Sequence, residues 1–507
     1  MGAAEVVDLK RSGEWENYHR TGTAQLKGRY ALRSGDAGRG RVDIAQAAAE
    51  VHKWLLEAKR QDVPVRPVGG AWSLSNIQLV QDGWMLNTRR FNRCFRLAAA
   101  DFARPASVDA RAFMLVEGGV QVDEVNDRLE EMERSLSTTG ASNGQTLPGA
   151  CATATHGSVL GAGGIQQHVR AIQLVTPGGI WWIEPSKGLM SDAFIAATGS
   201  TPLRDDEVFA AALVAVGSLG IVTAMVLETA PIFLVRPIMR LIDLKRSDIE
   251  RLAAGDHRGL SAEHGLDADP YFTMLITNPF RPFKRKAVVR FFYREPYRPD
   301  YPQATPAELG AGYDAFSMLN SLLRNFPWAR GWLLQTIMKI GVGKGIGPND
   351  PPVYGSWGET TETHKPLADL FTAAIFCDRR DLVRTFEEMC GAFAGAGGST
   401  VISLRFMKSG PGLLSPARWP DTVGLDCDGP RNDRTERAWL RIVEALDTAG
   451  IPFTRHWGKY NALDAQRVER DFGADLVRWK AVRDRLLPGD DLKVFSAPVL
   501  DRLGLTV

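Results

Sequence analysis

VRPVGGAWSLSN (65–76) is the stretch that decides the fold, because a short apolar strand runs directly into two consecutive glycines. The strand begins at residue 63, and apolar residues at helical spacing predict an amphipathic helix over 44–62 before it. Glycine allows the backbone to turn sharply and to approach a ligand closely. The stretch therefore predicts a helix–strand unit whose turn, around Gly69 and Gly70, is a binding loop.

Three more units of the same kind follow within the first half of the chain. A strand at 110–117 runs through Gly118 and Gly119 into a helix at 121–132. Residues 169–184 are predicted to form a hairpin, and residues 209–235 a helix, a glycine turn and a strand. This mixture of helices and strands predicts an α+β fold class.

A tract from Ser135 to Gly164 is almost free of charge and of bulky side chains. A disordered linker is the simplest interpretation, but solvated linkers favour Glu and Lys, which this tract lacks. Small residues in a core allow the backbone to lie against a ligand, and their N–H groups suit an anion. The tract therefore predicts ordered backbone around an extended, polar, anionic cofactor.

The composition excludes several classes of protein. The 507 residues suggest two or three domains, with 44% hydrophobic and 24% charged residues. Lys and Arg number 61 against 59 Asp and Glu, which gives no support for a nucleic-acid or polybasic membrane partner. Five widely spaced cysteines favour reduced thiols and a cytoplasmic location. The N-terminus lacks an apolar signal region, and glycines at 217 and 220 interrupt the uncharged stretch 209–227, so no transmembrane segment is expected.

The common catalytic motifs are absent. Gly161–Gly164 comes nearest to a dinucleotide fingerprint, but Gln166 stands where the third glycine belongs. The chain contains no HExxH, CxxC, EF-hand or GxSxG pattern, so neither a metal site nor a serine hydrolase is expected. GVGKGIGP (341–348) lacks the spacing of a phosphate loop and is interpreted as a flexible loop.

Four glycine-bearing segments together resemble, in order and spacing, the FAD-binding domain of the vanillyl-alcohol-oxidase/PCMH flavoprotein superfamily. They are VRPVGGAWSLSN (65–76), EGGVQVDEVNDRLEE (117–131), TLPGACATATHGS (146–158) and GSLGIVTAMVLET (217–229). Three C-terminal segments resemble the sugar-1,4-lactone oxidase and alditol oxidase branch of that superfamily. They are ISLRF (402–406), RHWGKYN (455–461) and LLPGDDLKVF (486–495). The resemblance covers 40–235 and 400–507, and residues 240–400 carry none of it.

The resemblance implies FAD as the cofactor and assigns residues to it. Backbone N–H groups of the first turn would hold the pyrophosphate, and residues of the later turns would line the rest of the cofactor. The implied cofactor-binding residues are Gly69, Gly70, Ala71, Trp72, Ser73, Thr146, Gly149, Ala150, Thr153, Thr155, His156, Gly157, Gly217, Gly220, Ile221 and Val222.

Trp72 is a departure from the family pattern. In covalent members the first loop reads Gly-x-Gly-His-Ser, and that His is bonded to the flavin. Here the position holds Trp72, so we expect non-covalent FAD, with His156 as the substitute linker only if a bond exists. The indole either packs against the dimethylbenzene edge of the flavin or simply fills core.

On the substrate side the resemblance points to Ser158, Arg405, His456 and Lys459 as catalytic residues and to Ser403 and Asp426 as substrate residues. Fixed cations at Arg405 and Lys459 would stabilise negative charge on the reduced flavin. Lys459, if its pKa is lowered, would also accept the alcohol proton.

Two departures bear on the substrate. The alditol oxidase pattern has Glu-x-Arg where this chain has Ser403-Leu404-Arg405, and a His expected on the following strand is replaced by Asp426. Loss of the Glu removes an acceptor for polyol hydroxyls. The aromatic segments 271–299 and 316–340 would suit a larger and less polar substrate, although such segments are more often core.

The sequence thus predicts a two-domain α+β flavoprotein. The predicted division is an FAD-binding PCMH-type domain at 1–236, an inserted substrate or cap domain at 237–464, and a C-terminal segment at 465–507 that packs back on the FAD domain. The predicted reaction is hydride transfer from a CH–OH substrate, a sugar lactone, polyol or related alcohol, to flavin N5. O2 or another acceptor would reoxidise the flavin, and the oligomeric state stays open. The alternatives are oxidation of a bulky sterol- or phenol-like alcohol, and an inactive flavin-binding sensor or interaction protein.

Overall fold

The computed structural model describes residues 3–35, 40–266, 269–302, 335–336, 352–361, 370–396 and 400–507. The predicted loop at 341–348 lies outside these ranges, and so does the segment 316–340 except for residues 335 and 336. The described residues form three main sheets with helices packed between and around them.

The first sheet contains the strand that opens the sequence argument. Its elements are β1 (Glu5–Asp8), β2 (Gly13–Glu16), β3 (Thr23–Arg33), helix α1 (Arg41–Arg60), β4 (Val65–Val68) and β5 (Gly83–Arg90). The strand order is β1-β3-β5-β4, with β2 on the edge of β3 and β4 parallel to β5. The predicted helix is confirmed, and its apolar stripe of Ile44, Val51 and Leu55 is fully buried.

The second sheet has the order β11-β10-β9-β12-β7-β6. Its elements and the short ones beside it are β6 (Cys94–Arg96), β7 (Phe113–Glu117), α2 (Val122–Glu130), β8 (Arg134–Ser135), α3 (Leu147–Ala152), β9 (Val169–Thr176), β10 (Gly179–Glu184), α4 (Asp192–Ala197), β11 (Thr201–Arg204), α5 (Asp206–Leu213), β12 (Ile221–Glu228) and β13 (Ala230–Pro231). The predicted hairpin is β9 and β10.

The uncharged stretch 209–227 is the end of α5, a glycine turn and most of β12, as its glycines predict. Among the described residues, no helix is both long and apolar enough to cross a membrane. The small-residue tract 135–164 is ordered backbone, with α3 at its centre.

The third sheet is antiparallel and eight-stranded, with the order β17-β14-β16-β15-β19-β20-β18-β21. Its elements are β14 (Phe233–Asp243), α6 (Arg246–Ala254), α7 (His257–Glu263), β15 (Phe272–Thr277), β16 (Lys286–Pro296), β17 (Gly355–Ser356), α8 (Trp357–Thr361), β18 (Leu370–Asp378), α9 (Leu382–Ala396), β19 (Val401–Lys408), β20 (Asp421–Pro430), α10 (Asp433–Thr448) and β21 (Thr454–Arg455).

Strand alternation gives this third sheet two different faces. Leu275, Val289, Leu404 and Leu425 point into a core that they share with the helices around Trp439. The residues between them point the other way, toward the first two sheets, and form one wall of the site described below.

The C-terminal helices are α11 (Ala465–Phe472), α12 (Ala474–Leu486) and α13 (Pro498–Arg502). Helix α12 lies against α5, where the indole nitrogen of Trp479 donates to the carbonyl of Ala211 at 3.3 Å. Farther on, Asp491 pairs with Lys59 of α1 at 2.6 Å. The last helices therefore complete the core that surrounds the first two sheets.

Candidate functional site

A cavity of about 510 Å³ lies between the glycine turns of the first two sheets and the exposed face of the third. Most of the residues that the sequence singled out line it. They are Gly69, Gly70, Ala71, Trp72, Ser73, Thr146, Gly149, Thr153, Thr155, His156, Gly157, Gly217, Gly220, Val222, Ser403, Arg405, Asp426, His456 and Lys459. Segments that are far apart in the chain thus meet at one place.

The first turn has no room for a side chain at its two glycines. A Cβ atom on Gly69 would lie 2.1 Å from Oγ1 of Thr146, and one on Gly70 would lie 2.5 Å from the carbonyl oxygen of Gly144. Both contacts are well inside van der Waals distance. The two glycines therefore allow the first turn to lie directly against the small-residue tract, as a close backbone cradle requires.

The carbonyl groups of this turn accept hydrogen bonds from other residues of the protein. Its backbone N–H groups are the groups that it can offer to a ligand. The carbonyl of Ser73 accepts from Asn17 at 3.1 Å and from Gln78 at 2.9 Å, and the carbonyl of Ala71 accepts from the amide of Tyr18 at 3.4 Å. Within the described chain, the N–H groups of residues 69–73 have no hydrogen-bond acceptor. Convergent N–H groups of this kind are a site for an anion such as a pyrophosphate.

Left-handed backbone recurs at the turns around the cavity. Ala71, Ala154 and Val216 have φ of 53°, 53° and 52°, although none of them is glycine. Such a conformation costs about 1–3 kcal/mol and persists only where the surroundings enforce it. The same conformation also occurs at other turns of the chain, so it shows that these three turns are held in place by their surroundings.

Arg66 joins two of these turns and was missed by the sequence analysis. Its buried guanidinium donates to the carbonyls of Gly217 at 2.6 Å and Ile77 at 2.5 Å, so it ties the first turn to the last. Burial lowers the pKa of Arg66 to about 10. A charged residue between the apolar residues of a short strand was the available signal.

Trp72 is half-buried at the mouth of the cavity. Its ring stacks on Tyr18 with centroids 5.0 Å apart and meets His19 edge-on at 5.5 Å. A Cβ on Gly144 would lie 2.3 Å from the indole, so the small-residue tract is shaped around this side chain. Trp72 is thus part of an aromatic cluster and also faces the cavity.

The opposite wall of the cavity is one face of the third sheet. The pairing of its strands brings charged side chains next to each other on this face. Ser403 of β19 is paired with Asp426 of β20, and Arg405 of β19 with Met274 of β15. Residues two apart on a strand share a face, so Ser403 and Arg405 both point into the cavity.

Asp426 is the centre of a buried ion cluster. One of its carboxylate oxygens lies 2.6 Å from Nε of Arg405 and 3.0 Å from Nζ of Lys459. Burial favours the neutral acid, but the charges of Lys459 and Arg405 outweigh it and hold the pKa of Asp426 below its usual range. The cluster of two cations and one anion therefore carries a net positive charge into the cavity.

Two residues of this wall were not found from the sequence. Asp428 lies two positions beyond Asp426 on the same face, and burial together with that neighbouring carboxylate raises its pKa, against the pull of Lys459. Arg290 of β16 is paired with Met274, and its guanidinium lies 4.7 Å from the centre of the Phe292 ring. Neither belongs to a quoted motif, and only the strand register shows that they face the cavity.

The turn RHWGKYN (455–461) brings Lys459 to the cluster. Arg455 donates to the carbonyl of Asn461 at 2.6 Å, and the amide of Asn461 donates to the carbonyl of Trp457 at 3.2 Å, so the turn is closed on itself. The carbonyl of Gly458 accepts from the amide of Leu74 at 2.8 Å. This bond joins the turn to the first glycine loop across the cavity.

Two buried histidines, His156 and His456, line the cavity beside the ion cluster. Their ring centroids are 5.6 Å apart, and Phe376 packs against both rings. Burial lowers the pKa of His156 to about 4, and burial with the charge of Lys459 lowers that of His456 well below its usual range. Both imidazoles are therefore neutral at neutral pH.

Three predicted site residues do not line the cavity. Ser158 was predicted to be catalytic, but its hydroxyl donates to the carbonyl of Thr273 and accepts from the amide of Phe406 at 2.8 Å. It therefore joins the tract to β15 and β19 instead of facing a substrate. Ala150 and Ile221, predicted to contact the cofactor, are buried in the core behind the turns, since their side chains are apolar and point inward.

Comparisons with known proteins agree with this geometry. Residues 41–183 match the family model described as an FAD binding domain. The chain is 23% identical over 452 residues to L-gulono-1,4-lactone dehydrogenase of Mycobacterium tuberculosis, covering 87% of this chain and 91% of the relative. It is also 23% identical over 202 residues to D-arabinono-1,4-lactone oxidase of Debaryomyces hansenii, covering 38% of this chain and 32% of that protein.

The structure resembles the crystal structure of cholesterol oxidase from Brevibacterium sterolicum. The TM-score is 0.71 at 13% identity, and the match covers 98% of this chain and 97% of that one. The FAD binding domain match and the sugar-lactone relatives support the resemblance to the vanillyl-alcohol-oxidase/PCMH flavoprotein superfamily. The relatives also support the resemblance to the sugar-1,4-lactone oxidase branch, and the α+β fold class of this flavoprotein is confirmed.

The cavity of the flavoprotein fits FAD, which is its cofactor. The glycine cradle, the unused N–H groups of residues 69–73 and the length of the cavity suit an extended dinucleotide with a central pyrophosphate. When bound, FAD supplies the acceptor of two electrons, and the chain is accordingly an FAD-dependent oxidoreductase that acts on CH–OH donors.

Proposed function

We propose that the flavoprotein oxidises a secondary or hemiacetal-type alcohol of the sugar-lactone class. The observation that supports this most directly is the ion cluster of Arg405, Asp426 and Lys459, which is held on the sheet face opposite the glycine turns. Removal of a hydride from the alcohol places negative charge on the acceptor, and a fixed positive cluster stabilises that charge without reorganising. The named relatives act on sugar lactones, which supports the same substrate class.

We assign roles to the chain accordingly. The N–H groups of the first turn hold the pyrophosphate, and the tract around Thr146 and Thr155 lines the remaining length of FAD. Arg405 and Lys459 provide the positive charge, and Asp426 positions both. Lys459 was predicted to be a possible base, and its Nζ lies 3.0 Å from a carboxylate oxygen of Asp426.

One feature favours a second candidate, a bulkier and less polar alcohol. The half of the sheet face nearer β14 and β16 lines the cavity with apolar side chains: Met239, Phe272, Met274, Ile276, Val288 and Phe292. Arg290 is the charged side chain in this half, the six apolar side chains offer no partner to the hydroxyls of a polyol, and Ser403 gives no carboxylate to bind them. An alcohol with a polar reacting end and an apolar remainder would match both halves.

We propose that FAD is bound non-covalently. Trp72 occupies the place of the family's linking histidine, and an indole cannot form that bond. Precipitation with acid should release all the yellow colour into the supernatant. Colour retained on the pellet would contradict the assignment and would direct attention to His156, the predicted alternative linker.

We propose the division 1–236, 237–464 and 465–507 for the FAD-binding domain, the cap domain and the returning segment. We further propose O2 or another electron acceptor for reoxidation. We also propose a cytoplasmic location, which agrees with five cysteines that are all free thiols.

The test is anaerobic titration of the holoenzyme with sugar lactones, polyols and apolar secondary alcohols, followed by flavin absorbance. Bleaching by a lactone supports the first proposal, and bleaching only by apolar alcohols supports the second. A flavin that no alcohol bleaches would contradict both and favour the alternative of an inactive sensor. Protein without FAD uptake would overturn the cofactor assignment itself.

A further inference from the structure

The protonation state of His156 can be derived from one hydrogen bond. Its Nδ1 lies 3.1 Å from the carbonyl oxygen of Gly157. A carbonyl oxygen can only accept, so Nδ1 carries the hydrogen. Since the ring is neutral, Nε2 has a free lone pair, and no described residue donates to it. The side chain lines the cavity, so this lone pair is the basic group that the ring offers there.

His456 is fixed in the opposite way. The backbone N–H of Gly458 donates to Nδ1 of His456 at 3.0 Å. An N–H group can only donate, so Nδ1 has no hydrogen and, in a neutral ring, Nε2 carries it. His456 also lines the cavity and makes no other side-chain hydrogen bond in the described part of the chain. It therefore offers a donor where His156 offers an acceptor.

The two rings are close enough to act on one functional group. With centroids 5.6 Å apart, a hydroxyl oxygen between the ring edges can lie within hydrogen-bond distance of both. The charged groups that act on His156 are Asp426 of β20, Arg405 of β19 and Lys459 of the turn, and His456 is the remaining titratable neighbour. Both neighbouring cations disfavour protonation of either ring before substrate binds.

We propose that His156 and His456 are a matched acceptor and donor pair for the reacting CH–OH group, and that His156 accepts its proton. This inference rests on the proposed function, because it presumes an alcohol substrate. The substrate O–H bond breaks and its proton passes to Nε2 of His156. The C–H bond breaks, both of its electrons leave with the hydride to FAD, and the C=O bond forms. Nε2–H of His456 donates to the oxygen before and after the step.

A first experiment measures the tautomers without using activity. The holoenzyme is labelled with 15N-histidine, and the two signals are assigned with His156→Asn and His456→Asn. We expect the Nδ1–H form for His156 and the Nε2–H form for His456, both neutral at pH 7. A protonated His156 ring, or Nε2–H on His156, would overturn the inference whatever the substrate is.

A second experiment measures anaerobic flavin reduction by the alcohol that bleaches the wild type. His156→Asn retains a group able to donate to Gly157 but has no Nε2, and loss of a general base costs about 100-fold or more. We expect such a fall in the limiting reduction rate with a much smaller change in substrate affinity. In the wild type the rate should rise with pH through about 4, where His156 loses its proton, and stay level above.

His168→Asn is the matched control. His168 is also buried, its pKa is also lowered to about 4 by burial, and its ring is held by Glu228 and Ser137 away from the cavity. The control should reduce its flavin at the wild-type rate. A His156→Asn enzyme that is equally fast would overturn the inference while the proposed function stands. If His156→Asn fails to fold, the pH profile of the wild type still decides, and His156→Gln replaces it for assigning the signal.

Discussion

The two walls of the cavity are built by different means. The wall of glycine turns is formed by backbone. Its key positions, such as Gly69, have no room for a side chain, and the groups that it offers to a ligand are amide N–H groups. The wall of the third sheet is side chain: charges at Arg405, Asp426 and Lys459 stand on a regular strand face and on one turn. The glycine-turn wall depends on the space between backbone segments, and the third-sheet wall depends on the balance of its charges.

Because of this difference, the two walls tolerate different kinds of substitution. A backbone cradle accepts almost no added atom, because a Cβ displaces the chain, but its binding groups are amide N–H groups, which do not titrate. A charged face accepts changes of size more readily, but it fails when one member of the cluster loses its charge, because buried partners are left uncompensated. Mutations of the two walls should therefore differ in their effects on stability, flavin reduction and FAD affinity.

The largest effect is expected for Asp426→Asn. Removing the central anion leaves Arg405 and Lys459 as close, uncompensated buried cations, and loss of one partner of such a pair costs about 3–5 kcal/mol of stability. The limiting rate of flavin reduction should also fall, because the two cations lose their positions. Chemical denaturation and anaerobic stopped-flow reduction measure the two effects.

Asp421→Asn is the control for this substitution. Asp421 also pairs with two cations, Lys408 and Arg379, but the pairs are partly exposed and do not line the cavity. Such pairs contribute about 1 kcal/mol or less. Equal stability losses in the two variants would show that the cluster at Asp426 is an ordinary ion pair, and that the two walls do not differ as described.

A smaller effect, confined to cofactor binding, is expected for Gly69→Ala. The new Cβ would meet Oγ1, Cγ2 and Cβ of Thr146 at 2.1, 2.5 and 2.8 Å, so no rotation of that side chain relieves the clash. Overpacking of this kind costs about 1–3 kcal/mol. The Kd for FAD should rise by up to about 100-fold, as measured by fluorescence titration of the apoprotein.

Gly161→Ala is its matched control, because a Cβ at Gly161 meets nothing within 4 Å. FAD affinity in that variant should be unchanged. Unaltered affinity in Gly69→Ala would show that the first turn does not contact the cofactor. It would also contradict the claim that the glycine-turn wall depends on the space at Gly69.

The smallest effect is expected for Ser158→Ala, which lies where the two walls join. The substitution leaves the buried amide of Phe406 without its acceptor, at a cost of about 1–2 kcal/mol of stability. Flavin reduction should stay within about threefold of the wild type. A loss of 100-fold in that rate with unchanged stability would restore the catalytic role that the sequence predicts.

The sequence predicted the backbone wall better than the charged wall, for a physical reason. A turn that must lie against a ligand is encoded locally, by small residues at Gly69 or within 146–158, and four such turns in order carry the family resemblance. Strand register is not local. Asp426 was predicted to be a substrate residue and a departure from a motif, but its ion pairs with Arg405 and Lys459 were not predicted. They join β19, β20 and a turn separated by many residues.

The same reason explains what was missed or misassigned. Asp428 and Arg290 face the cavity only because β16 and β20 have one particular register, which no motif records. Ser158 belongs to a recognised motif, but whether its hydroxyl faces a substrate or a neighbouring strand depends on where β15 begins. Arg66 carried no prediction, and it ties two of the turns around the cavity together.

The contacts of the last helices have a consequence for the order in which the protein is made. Helix α12 and Asp491 pack on α5 and α1, elements synthesised about 270 and 430 positions earlier. A ribosome-bound chain therefore has the glycine turns long before it has the residues that brace them. We expect the nascent chain to capture FAD only after residue 495 has left the exit tunnel, so that flavin is incorporated late in synthesis.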